Sequence, residues 1–583
     1  MRKLFERLYA RLPLDFRVLY RLFLLRVIDL EALSIQADIP RFLGQFAGVL
    51  MMLSMVHTVG IYVSLALSRT PEGFLAVSWY FEHYLIATMM LVVGLFTVIA
   101  WDSTFPDRRD AMILAPLPVA SRTVLFAKVL SSCSIWFLAV LTLNFASGFV
   151  LPLLVGYAHS GFLGFLRCLL AYWFTMIAAS GFVYGSVLTI QGLSALLLPR
   201  HLFLRLSAVL QLAAFALFLG VYFLQPSLSS PPVLAEPRNQ WIFASSPSFW
   251  FFALFNQLNG TLPPELAWLA HRAWIGLAIV FVGSLVSLVL CYMHTMQKTI
   301  EQPDLVPGAG GTHWTPRLGN SLTTAIVFFT LRSLVRSRQH RVAYAFYLAI
   351  VCAIALSIVR GELAAPAHGP VTSGSLMSTF MMMLFAVVGL SRVFALPISL
   401  TANWVLRIAQ LRPTEQYFAA TRKSLLLIGV LPWWIVSAAL SLWFRPPHQV
   451  MEHLAILALL GSVLADLSLI GFSKVPFTCS YLPGKSNIQY VFWFFALAVI
   501  PLAASGAKYE LHALNHPREL VSLGIGLSVA ACGLWAFNRH RAKSGVLYYE
   551  ELPEEIITTL GLMPPQTLSG SVIGDRFETK HGC

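Results

Sequence analysis

Runs of about twenty apolar residues, the length that carries a helix across the hydrocarbon of a bilayer, recur from one end of the chain to the other, and the polar stretches between them are short. They predict spans near residues 43–67, 83–101, 124–155, 162–190, 204–224 and 273–293, then near 341–359, 376–397, 424–444, 454–473, 488–507 and 519–537. No intervening segment is long enough to fold into a soluble catalytic domain, so the pattern predicts an all-α polytopic integral membrane protein of about 12 transmembrane helices. The stretch from Gly161 to Leu198 is too long for one upright helix and poor in turn signals. It counts as one span, with a tail expected to run along the cytoplasmic surface.

Ahead of the first span, Val18, Leu19, Leu22, Phe23, Val27, Ile28 and Leu30 recur at helical spacing, with Arg17, Arg21, Arg26, Asp29 and Glu31 between them. That pattern predicts a helix lying in the membrane interface rather than across it. No small-residue cleavage site follows an apolar region there, so a removable signal peptide is not expected.

Composition agrees with the pattern: 57% of residues are hydrophobic, 11% are charged, and the mean hydropathy is +0.73. Lys and Arg outnumber Asp and Glu by 40 to 26. In so apolar a chain that excess reads as cytoplasmic loops facing an anionic membrane surface, and no nucleic-acid partner is expected. The basic loops set the orientation: Arg108, Arg109 and Arg122 after the second span, Arg200 and Arg205 after the fourth, Arg407, Arg412, Arg422 and Lys423 after the eighth. Both termini are then cytoplasmic, and the chain belongs in a cell (inner) membrane. The seven cysteines are scattered, with no CxxC pair, which argues against a disulfide framework or a zinc site.

The two halves of the chain correspond. Ala-Pro-Leu-Pro-Val-Ala-Ser-Arg-Thr at 115–123 precedes Lys128, Leu-Arg-Pro-Thr-Glu at 411–415 precedes Lys423, and Pro118 and Pro413 are 295 positions apart. Moved by that spacing, the first and second spans fall on the seventh and eighth. The expected organisation is a cytoplasmic segment at 1–42, a first six-helix half at 43–295, a cytoplasmic linker at 296–340, a second half at 341–537 and a cytoplasmic tail at 538–583. The linker is rich in Pro and Gly, and its Gly308-Ala309-Gly310-Gly311 run lacks the Lys-Ser/Thr that a phosphate loop needs.

Signatures of ATP hydrolysis, zinc peptidases and serine hydrolases are missing from the sequence, and no helix face carries paired carboxylates. Any energy source is expected on a partner. The most specific local signal is Trp101-Asp102-Ser103-Thr104-Phe105-Pro106-Asp107-Arg108-Arg109-Asp110, continuing through Pro116-Leu117-Pro118-Val119 to Lys128. This resembles the permease subunits of type-2 ABC exporters, whose second cytoplasmic loop carries such an Asp-Arg-Arg-Asp and Pro-Leu-Pro pattern before the third span. The likeness is sharp over 101–128, looser over the rest of the first half, and mostly topological in the second, where the proline element is reduced to Leu411-Arg412-Pro413. The resemblance implies six spans per half and a separate ATP-binding-cassette subunit, two copies being expected, that holds ATP and magnesium; no cofactor is expected on this chain.

Physically, Pro116 and Pro118 stiffen the loop so that a push on it moves the following helix, and Arg108 and Arg109 offer charge-assisted bonds to an acidic groove. The candidate docking set is Asp107, Arg108, Arg109, Asp110, Pro116, Pro118, Arg122 and Lys128, with Arg412, Pro413 and Lys423 in the second half. The bland alternative is a positive-inside anchor followed by a helix start.

Charge inside lipid is costly and marks pathways or buried pairs. Asp466 in the tenth span lines a substrate path, carries a proton or bonds to a neighbouring helix; His57 in the first span is a second, weaker pathway candidate, more often a packing histidine. Arg167 is expected to snorkel, and Gly181 with Gly185 to allow close helix packing. Two other readings stay open. One is a secondary, ion-coupled transporter, against which Asp466 has no acidic mate 295 positions earlier. The other is an integral-membrane enzyme acting on lipid-linked substrates, for which Lys508, Glu510, His512, His516 and Arg518 are the best polar set. The cargo is not legible in the sequence, since fold-level likeness names none.

Overall fold

In lipid every backbone N–H and C=O must find its partner inside the protein, which a helix provides along its own length, and the computed structural model is helical, with no strand among its described residues. Those residues are 13–28, 39–100, 117–224, 240–291, 317–364, 370–394, 396, 414–470, 477 and 498–544. Among them nine helices are long and apolar enough to cross a membrane, and Val209–Tyr222 and Ala343–Leu356 are shorter apolar stretches. The first part of the eleventh expected span, up to residue 497, lies outside the described residues.

The N-terminal helix α1 (Leu14–Ile28) lays Leu19 and Phe23 against Val124 and Ala127 of α4 (Ser121–Leu143), while Leu14, Val18 and Leu22 stay exposed. Between them in sequence come α2 (Ile39–Leu67) and α3 (Pro71–Ile99). Helix α3 starts twelve residues before the expected second span because Thr70 caps it: Oγ1 accepts the Gly73 N–H at 3.1 Å, with Pro71 and Glu72 in the first turn. It is the centre of the first bundle, with 67% of its apolar window buried, against 0% for the last helix of the chain.

The expected third span, 124–155, is not one helix. Helix α4 stops at Leu143; α5 (Ser147–Leu151) and a π-helical turn, Pro152–Gly156, follow. The backbone donors freed at this break are taken up by Ser54 of α2, whose Oγ accepts from the Ala146 N–H at 3.0 Å and the Ser147 N–H at 3.3 Å. The chain then reverses within α6 (Tyr157–Leu197) at Ser160 and Gly161, the latter at φ 64°, a conformation that suits glycine. Beyond the reversal α6 runs unbroken to Leu197, so the long apolar stretch is one helix whose 38 residues exceed the bilayer core.

Helix α7 (Arg200–Leu224), the short α8 (Gln240–Ser245), α9 (Pro247–Asn259) and α10 (Ala267–Val286) complete the first bundle. Helix α9 ends at Gly260, φ 80°, the left-handed cap that glycine favours. Phe249, Phe251, Phe252 and Phe255 bury its full face against α3 and α6.

Within the expected linker, residues 321–336 form α11 (Ser321–Arg336), which leads into α12 (Arg338–Ala364) and α13 (Ser373–Phe394). The expected loop at 398–423 is helical from Thr414: α14 (Thr414–Ser424) passes through a π-helical turn, Leu425–Val430, into α15 (Leu431–Phe444). Helices α16 (Pro447–Ser468), α17 (Ile500–Leu514) and α18 (Pro517–Ser544) follow. The two bundles meet where Phe215 and Leu219 of α7 pack on Ala349 and Ala353 of α12, with the Phe215 and Phe346 rings 4.3 Å apart.

Candidate functional site

Two lysines 295 positions apart each reach a neighbouring segment of the chain. Lys128, on the third turn of α4, is buried, and its ammonium lies 5.3 Å from the centre of the Phe23 ring of α1, a cation–π arrangement. Lys423, near the end of α14, donates through Nζ to the carbonyl of Leu318, three residues ahead of α11. The two lysines that share the sequence spacing thus both bind the segment that leads into, or forms, the amphipathic helix of their own half. Pro118 and Arg122 are exposed, and a tight contact from the Val119 N–H to the Leu117 carbonyl, 2.7 Å, sets the turn around Pro118 before α4 begins. Asp107, Arg108, Arg109, Asp110, Pro116, Arg412 and Pro413 lie outside the described residues.

One residue before Lys423, Arg422 turns the other way and grips Asp466 of α16, Nε to Oδ1 at 2.6 Å and Nη2 to Oδ2 at 2.9 Å. The carboxylate is fully buried, and the main-chain carbonyl of Asp466 accepts from Asn538 Nδ2 of α18 at 2.8 Å. At the surface end of the same cluster Arg539 of α18 pairs with Glu415 of α14. A bidentate fork of this kind is the strong form of a charge-assisted bond. Asp466 is therefore bonded to a neighbouring helix.

His57 meets Tyr84 of α3, Nε2 to the phenol oxygen at 3.2 Å, with the rings edge to face at 5.2 Å. Arg167 does not end in solvent alone: its Nε donates to the Leu258 carbonyl at 2.8 Å, closing the C-terminal turn of α9. Gly185 packs so closely that a Cβ there would meet Val280 Cγ1 of α10 at 2.6 Å, while Gly181 lines a cavity of about 360 Å³ between α4, α6 and α10 that reaches Lys128. A second, open cleft of about 1160 Å³ runs along α11 between Arg317 and Arg332.

Three buried ionisable residues escaped the sequence reading. Glu82 accepts from Asn256 Nδ2 at 3.1 Å; His83 meets Ser248 Oγ at 3.0 Å and stacks on Phe249 at 4.0 Å. His453 joins Thr379 to Glu510. The signal available was the chemistry alone: ionisable residues inside apolar runs. Of the polar set at 508–518, Glu510 is buried in that contact, whereas His512 pairs with half-buried Glu519 at 3.4 Å and its ring lies 4.3 Å from the tilted ring of His516. Among the described residues no group of three or more His, Cys, Asp or Glu is placed to hold a metal ion. Comparison with protein-family models, with curated proteins and with solved structures finds no match to this chain.

Proposed function

We propose that the chain is the transmembrane permease subunit of an ATP-binding-cassette exporter, forming the translocation pathway and coupling through its cytoplasmic loops to a separate ATPase. The single observation that carries this reading is the equivalence of Lys128 and Lys423: each follows a proline-bearing loop and each is tied to the amphipathic segment of its own bundle. A force on either loop then reaches a membrane helix and an interfacial helix together. Internal duplication accords with the helix ends, since Ile99, moved by the spacing of 295, falls on Phe394, the last residue of α13.

In this scheme two copies of the partner bind ATP and magnesium and close on each other, pressing on the loops at 102–123 and 398–423 so that the bundles rock and switch access. Coupling requires the nucleotide-bound partner to favour one arrangement over the other. Asp466, held by Arg422, serves as an anchor of the second loop rather than as a site for cargo. Termini on the cytoplasmic face of a cell (inner) membrane follow from the basic loops.

The test is co-purification from native membranes in mild detergent. An ATPase subunit should accompany the wild-type chain and be lost from the Arg108→Glu, Arg109→Glu double variant. Absence of any such partner, under conditions that preserve other membrane complexes, would favour an ion-coupled transporter instead.

A further inference from the structure

Helix α11 is apolar, yet its 16 residues reach only about 24 Å, too short to cross the hydrocarbon of a bilayer. It joins α12 through the single residue Ser337, so it lies at the foot of a helix with an apolar stretch of its own, Ala343–Leu356. One face of α11 is used inside the bundle. Ile326, Val327, Thr330, Ser333 and Leu334 are buried, and Leu334 packs with Tyr344 of α12 and with Leu425, which follows α14.

The opposite face is apolar as well, which contact with water does not favour. At about 100° per residue, Ser321, Ala325 and Arg332 run along its middle, with Phe329 on one side and Leu331 and Val335 on the other. Phe329, Leu331 and Val335 are 41%, 38% and 57% exposed, and the Arg332 guanidinium lies 6.0 Å from the centre of the half-buried Phe328 ring. Arg317, also exposed, stands four residues ahead of the helix. The sequence holds no Asp or Glu from Arg317 to Gly361, and among the described residues neither arginine has an acidic partner. The open cleft of about 1160 Å³ along α11 is lined by both of them.

A ligand for this face has to satisfy two demands at once. The guanidinium groups call for phosphate or carboxylate oxygens, which they bind through paired N–H donors, and the side chains that flank Arg332 call for hydrocarbon. Short length, an apolar outer face and arginines without acids are together the make-up of a helix that lies in the membrane interface. We propose that the outward face of α11 is a binding surface for anionic phospholipids, on which Arg317 and Arg332 hold headgroup phosphates while Phe329, Leu331 and Val335 lie against the acyl chains. An acidic protein surface answers the arginines but offers no hydrocarbon to Leu331 and Val335. Leu318, next to Arg317, is the residue whose carbonyl Lys423 holds, so lipid bound here also braces α14. The surface stands independently of the exporter reading.

The experiment is photo-crosslinking of the full-length chain in mild detergent with phosphatidylglycerol that carries a diazirine on its acyl chain, the labelled residues being located by mass spectrometry. Label should fall within 321–336, and unlabelled phosphatidylglycerol should displace it about ten-fold better than phosphatidylcholine. In Arg317→Gln with Arg332→Gln the half-saturating concentration of the probe on α11 should rise about ten-fold or more, whereas Arg69→Gln, at an exposed site in another loop, should leave it unchanged. No label on α11, equal displacement by the two lipids, or an unmoved half-saturation in the double variant overturns the proposal. So does label that reaches α11 in the purified chain but not in intact native membranes, because a protein then covers the face there. Should the double variant fail to fold, Arg317→Gln alone, which lies outside the helix, should raise the half-saturating concentration about five-fold, and no rise overturns the site.

Discussion

Arg422 and Asp466 form a two-pronged ion pair in which the carboxylate is wholly buried and the guanidinium is 23% exposed. With Lys423 reaching Leu318 and Glu415 pairing with Arg539, α14 becomes a post to which the segment ahead of α11, α16 and α18 are all fastened. Removing one member strands the other charge, which costs about 3 kcal/mol or more, whereas an apolar replacement of both is close to neutral. Asp466→Asn and Arg422→Met are each expected to lower unfolding stability in detergent by that amount, and Arg422→Met with Asp466→Leu to restore most of it. A stable Asp466→Asn protein that has lost transport would instead make Asp466 a pathway residue.

Lys128 and Phe23 are the corresponding fastening in the first bundle. A partly desolvated cation–π contact contributes about 0.5–2 kcal/mol. Lys128→Met and Phe23→Leu should each cost about 1 kcal/mol, and the double variant no more than the larger single, because both remove the same interaction. Full additivity in the thermal unfolding of the four proteins would show that the lysine acts elsewhere.

Close backbone approach supplies a third prediction. A Cβ on Gly389 of α13 would lie 2.4 Å from Tyr347 Cγ and 2.5 Å from its Cβ on α12, too near for either helix to yield locally. Gly389→Ala is expected to destabilise by about 1–3 kcal/mol, and Tyr347→Ala to relieve part of that loss in the double variant. Gly524, with open space around it on the lipid-facing α18, should accept alanine without measurable effect.

The helices were legible because lipid forces long apolar runs into them, and α1 was legible as a helix from the spacing of its apolar residues. Their ends were less so. Asn144 and Ser54 decide where α4 breaks, yet they are far apart in sequence and leave no periodic trace. The same holds at the sites. Asp466 stood out as a charge in an apolar run, but its partner Arg422 read as one more cytoplasmic cation. Glu82 with Asn256, and His453 with Thr379 and Glu510, come together only through tertiary packing. Sequence alone marks such residues one at a time and leaves their pairing to the fold.

His340 gives the pH dependence. It stands ahead of the apolar stretch Ala343–Leu356, fully buried, with Nε2 donating to the Leu396 carbonyl at 2.9 Å and Nδ1 accepting from Ser337 Oγ at 2.6 Å. Burial lowers its pKa, and the bond to the Leu396 carbonyl opposes that shift without reversing it. An unfolded imidazole takes up its proton near about pH 6.5, while the folded one still resists it. Below that pH the unfolded chain therefore binds more protons, so this residue's contribution is full above the window and is lost as the solution is acidified through it. Wild-type unfolding temperature should fall more steeply between neutral and mildly acidic pH than that of His340→Leu, in which the titrating group is gone. Equal slopes for the two proteins would mean that the His340 ring is not held neutral by the contacts to Ser337 and Leu396.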